Sequence, residues 1–78
     1  PMPSRPFVHP TIEQVTLVGL LYALADPVRL EIVYRLSRAD CAVSCSSFLS
    51  LGGTDVPKSS LSRHLDILRD AGLLYSEK

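Results

Sequence analysis

The run from position 57 to 75, PKSSLSRHLDILRDAGLLY, constrains this chain more than any other stretch. Leu61, Leu65 and Leu68 fall at i, i+4 and i+7, the spacing of one buried stripe on a helix. The first turns carry Lys58, Ser59, Ser60, Ser62 and Arg63 on the remaining surface, followed by His64. No acidic residue stands between Asp55 and Asp66. A helix end that is cationic, slender and rich in short hydroxyls can enter a DNA major groove, where small side chains permit close approach and Arg or Lys reaches phosphates or guanine edges. The same pattern also suits an ordinary surface helix whose hydroxyls face water. Gly72 supplies a left-handed cap that ends the helix, and Leu73, Leu74 and Tyr75 read as the start of a strand.

With 78 residues the chain is one domain at most and buries only a modest share of its surface. Hydrophobic residues make up 46% of it, a surplus that points to an apolar face shared with a partner. The formal net charge is zero, whereas nucleic-acid binders are usually basic overall. Charge placement answers part of that objection. The cations Lys58 and Arg63 open the helix, and the acids Asp66, Asp70 and Glu77 come later, where a groove-inserted helix would be leaving the DNA.

Four of the six prolines lie in the first ten positions, so residues 1–10 read as an extended arm without a signal-peptide pattern. Thr11 is placed to cap a helix running to about Ala25, with Glu13 favourable in its first turn. The later part, LVGLLYALA, is apolar almost all the way round and about half the length of a membrane span. Leu17, Val18, Leu20, Leu21 and Leu24 cannot all face one small core, and the same helix of a second subunit would cover them. The alternative is a central core helix of a monomer. Asp26-Pro27 restarts the chain as a helix to about Ser37, with Asp capping and Pro at the first helical position. In it Ile32, Val33 and Leu36 face inward, Arg29, Glu31, Arg35 and Arg38 are expected in solvent, and Glu31 and Arg35 are spaced to pair. Ser44 can cap a brief third helix to about Ser50, and the glycines in Leu51-Gly52-Gly53-Thr54-Asp55 demand a turn before the last helix. A short helix, a turn and a longer helix make a helix-turn-helix with a loosened turn.

The stretches ALADPVRLEIVYRL and KSSLSRHLDILRDAGLL together resemble the ArsR-type winged-helix repressors of bacteria, and HPTIEQVTLVGLLYALADP is similar to that family's first helix. These stretches cover about two-thirds of the chain. ADPVRL alone is weak, and the pairing with SSLSRHLDILRDAGL at this distance is specific. The resemblance implies an all-α fold with minor β: a winged helix-turn-helix with a three-helix DNA-binding core plus an N-terminal dimerisation helix over 11–78, preceded by the 1–10 arm. It further implies a cytoplasmic homodimer on palindromic double-stranded DNA, released by an effector, with Lys58, Ser59, Ser60, Ser62, Arg63 and His64 facing DNA. Three departures stand out. The sequence ends at Lys78 where the wing should begin, which reads as a fragment; Pro57 occupies the usual Ser or Thr cap position; and the GGTDV turn is long.

Metal sensing in this family often uses a Cys-x-Cys pair near the third helix, but Cys41 and Cys45 are spaced Cys-x3-Cys. Two thiolates do not complete a four-ligand zinc site, and the two histidines, His9 and His64, are not tied to them by sequence. A buried small hydrophobe at Cys45 and a partly covered thiol at Cys41 is the simpler reading, with a metal site or a thiol sensor as alternatives. Without a secretion signal the thiols are expected reduced. No Gly-rich phosphate loop, paired carboxylates or nucleophile-base constellation is evident, so neither an enzyme nor a cofactor is expected. A rival reading is a protein-interaction module that keeps the winged-helix shape and has lost DNA binding; the neutral total charge favours it.

Overall fold

The computed structural model describes residues 8–39, 43–51 and 54–76. The helices are α1 (Leu17–Leu24), α2 (Pro27–Ser37) and α3 (Lys58–Asp70). Short 3-10 turns lie at Ile12–Gln14 and Cys45–Phe48, and two short strands, β1 (Ser50–Leu51) and β2 (Thr54–Asp55), precede α3. The three helices surround one core in which Ala23, Ile32, Phe48, Val56, Leu61, Leu65 and Leu68 are buried. All three leucines of the predicted stripe on α3 are among them.

Local chemistry sets most helix ends. Asp26 Oδ1 accepts from the Val28 and Arg29 amides at 2.8 and 3.3 Å, and Pro27 opens α2 as the Asp-Pro pair predicts. Helix α3 ends in a Schellman arrangement. Gly72 adopts φ 86°, its N–H donates to the Arg69 carbonyl, and the Leu73 N–H donates to the Leu68 carbonyl. Glu31 and Arg35 pair at 3.2 Å on the exposed side of α2.

Several expectations need correction. The single helix expected from Thr11 to Ala25 is two pieces. After the 3-10 turn the chain is extended at Val15 and Thr16, and Thr16 Oγ1 caps the Gly19 amide at 3.0 Å. The β-branched pair disfavours a continuous helix, and the Thr hydroxyl gives the backbone a competing partner. The third helix expected from Ser44 to Ser50 is reduced to the 3-10 turn, from which Phe48 is buried in the core. Gly52 and Gly53 of the expected 51–55 turn lie outside the described residues; on either side of them the strands pair antiparallel, Ser50 opposite Asp55 and Leu51 opposite Thr54, and the Val56 N–H donates to the Leu49 carbonyl at 2.6 Å. No strand forms at Leu73–Tyr75. A strand needs a neighbour to share its ladder, and the Ser76 N–H donates to His9 Nε2 instead, at 3.0 Å. No wing follows α3 among the described residues. Arg29, expected in solvent, is only 8% exposed.

Candidate nucleic-acid interface

Helix α3 presents a polar surface because its apolar residues are fully used on the other side. With Leu61, Leu65 and Leu68 buried, Lys58, Ser59, Ser60, Ser62 and Arg63 are all exposed. Ser59 and Arg63 lie nearly opposite the buried stripe at 3.6 residues per turn. Pro57 stands at the N-cap and provides no side-chain hydrogen bond, so the first-turn amides retain their donor capacity and the partial positive charge of the helix end. That charge adds to Lys58 and Arg63. Asp66 shares the exposed face further along, but its carboxylate is paired with the buried Arg69, whose Nη1 also donates to Ser76 Oγ at 3.1 Å. The buried side of the helix thus supplies a counter-charge that weakens the opposition of Asp66 to Arg63.

His64 differs from the other candidates. It is half-buried, and its Nδ1 lies 3.2 Å from Arg29 Nη1 of α2. Arg29 Nε donates to the Ala23 carbonyl at 2.7 Å and Nη2 to the Tyr22 carbonyl at 3.2 Å, while Asp26 Oδ2 stands 4.0 Å from Nη1. The guanidinium therefore satisfies two carbonyls at the C-terminal end of α1, where a cation also complements the helix dipole. Burial alone would raise the Asp26 carboxyl; the hydrogen bonds from the Val28 and Arg29 amides, and then the electrostatic influence of the His64 ring and the Arg29 guanidinium, outweigh it and hold the carboxyl below its ordinary value. Sequence reasoning missed this cluster because Arg29 shares its helix with residues that are solvated. The Asp-Pro-x-Arg spacing was the one available signal.

The candidate dimerisation residues divide. Leu17, Val18 and Leu21, together with Tyr22, are 58–76% exposed and form a continuous apolar surface on α1, whereas Leu20 and Leu24 are half-buried. Residues at i, i+1, i+4 and i+5 share one side of a helix. Cys41 lies outside the described residues, and so does the side chain of Cys45. Among the described residues no three His, Cys, Asp or Glu side chains gather as a metal site. Among the described residues no helix is long and apolar enough to cross a membrane.

Comparison with protein families matches residues 24–76 to a helix-turn-helix domain. The chain belongs to the helix-turn-helix domain family. The matched stretch runs from the end of α1 through α2, the paired strands and α3, so it contains Asp26, Arg29 and His64 and the exposed polar face. No curated protein and no solved structure matches the chain. A helix-turn-helix domain supports a DNA-binding regulatory role in general, and such transcription-factor domains are non-catalytic.

Proposed function

We propose that this helix-turn-helix protein is a sequence-specific DNA-binding transcriptional regulator of the ArsR type, acting as a dimeric repressor on a palindromic operator. The observation that carries the reading is the separation of faces on α3: three buried leucines on one side, and an acid-free, exposed set of Lys58, Ser59, Ser60, Ser62 and Arg63 at its N-terminal end. Lys58 and Arg63 supply phosphate or guanine contacts and the serines permit close approach. Dimerisation through the exposed Leu17, Val18, Leu21 and Tyr22 would offer two α3 helices to successive major grooves, about 34–36 Å apart. The formal net charge of zero favours a second reading, an interaction module in which the apolar α1 face docks a protein and α3 binds no DNA.

Selection of binding sites from random duplex DNA, followed by salt-titrated affinity measurements, separates the two. Arg63→Ala is expected to weaken binding by about 1–3 kcal/mol if it contacts a base, and Lys58→Ala to lower the salt dependence by about one unit of slope. Unchanged affinity in both variants would remove α3 as the reader, and an absence of any salt-dependent binding favours the interaction module.

A further inference from the structure

We propose that Arg29 and His64 form a strut that fixes the seating of α3 against the α1–α2 corner, making His64 a positioning residue rather than a DNA contact. The inference concerns how the reading helix is held, and its consequence for DNA rests on the function proposed above.

The geometry is specific. Arg29 bonds to both neighbouring helices, with two bonds to carbonyls of α1 and one to His64 of α3. A guanidinium carries donors and no acceptor, so His64 Nδ1 must accept and the ring proton of the neutral imidazole must reside on Nε2. A fork of five N–H groups in one plane can serve three acceptors in fixed directions, which a lysine ammonium cannot reproduce. The guanidinium is itself held on both sides: the Asp26 carboxylate stands near Nη1, and the Tyr22 ring lies 5.4 Å from Cζ. His64 belongs to the second turn of α3, one residue after Arg63 and between Leu61 and Leu65 of the buried stripe. A polar bond at that point fixes the rotation of α3, which the apolar stripe alone would leave free to slide over the core. Tyr22 also belongs to the exposed α1 surface, so whatever covers that surface bears on one end of the strut.

The test combines a readout independent of DNA with one that depends on it. In the full chain at neutral pH, imidazole nitrogen NMR is expected to show His64 with Nδ1 unprotonated and Nε2 protonated. Arg29→Met should return the ring to a mixture of tautomers, and residual dipolar couplings should show α3 reoriented relative to α2. If Arg29→Met does not fold, Arg29→Lys gives the same readouts in milder form, since one ammonium cannot bond all three acceptors. A native ring protonated on Nδ1, or couplings unchanged in the variants, overturns the strut whether or not the protein binds DNA.

Given DNA binding, His64→Leu and Arg29→Met are each expected to lose roughly 2- to 30-fold in affinity, and the double variant no more than either single one. His64→Asn, whose Oδ1 stands where Nδ1 does and can accept the same guanidinium N–H, should largely restore affinity. Losses that multiply in the double variant would mean that His64 touches DNA on its own account, and would refute the assignment.

Discussion

Replacing Gly72 with Ala tests how α3 is ended and what its end packs against. Two costs arise at this position. The backbone φ of 86° lies in the left-handed region, which costs a residue with a Cβ about 1–2 kcal/mol. In addition, the new Cβ would stand 2.7 Å from Val15 Cγ2, inside the closest approach real Cβ atoms make. Val15 is β-branched and stiff, and it sits in the extended break before α1, so it can yield only by moving backbone. Overpacking of this kind costs about 1–3 kcal/mol. The sum is a loss of about 2–5 kcal/mol, which for a domain of this size lowers Tm by at least about 8 °C. Urea denaturation of four proteins, the native chain, Gly72→Ala, Val15→Ala and the double variant, separates the terms. The cost of Gly72→Ala should fall to about 1–2 kcal/mol when Val15 is already Ala, because only the dihedral strain of the left-handed residue is left. A Gly72→Ala variant as stable as the native protein, or a cost identical with and without the Val15 methyls, would refute the packing assigned to these residues.

Other outcomes follow from the same structure. Leu21→Glu, on the exposed side of α1, is expected to abolish dimers in sedimentation while leaving the helical circular dichroism intact, since Leu21 contributes little to the monomer core; a native protein that is monomeric at micromolar concentration would remove the interface. Asp26→Ala should cost about 0.5–2 kcal/mol through loss of the α2 cap. The folded carboxyl lies below its ordinary 3.8, so its contribution is complete above that value and is lost as pH falls through the folded pKa. Asp26→Ala should therefore also flatten the acid limb of stability against pH, and an unchanged limb counts against that linkage. Elemental analysis of protein purified without chelator is expected to find no stoichiometric zinc; about one zinc per subunit, lost in a Cys41→Ser, Cys45→Ser double variant, would establish a site at the thiols.

The sequence by itself determined those features whose partners lie within about one helical turn. Asp26 caps amides two and three residues ahead, so Asp-Pro alone fixed the start of α2. Gly72 follows the last turn of α3 and needs only its own backbone freedom to close the Schellman bonds to Arg69 and Leu68. The Leu61, Leu65 and Leu68 stripe named both the buried face of α3 and, by difference, the exposed polar one. Only the tertiary structure decided the rest. Arg29 is buried because carbonyls six and seven residues before it and an imidazole thirty-five residues after it converge on one guanidinium, and among the described residues no buried side-chain polar atom lacks a hydrogen-bond partner. His9 leaves the expected free arm to stack on Tyr75 at 4.3 Å and to accept from the Ser76 amide, across a separation no local pattern encodes. The break at Val15 belongs to both levels: Thr16 offers the local cap, while Val15 sits against Gly72, where a shape requirement links the two ends of the described chain. Periodicity and capping report a residue's immediate neighbours; whether a charged side chain ends in water or in a closed hydrogen-bond network depends on which distant backbone groups the fold brings within about 3 Å of it.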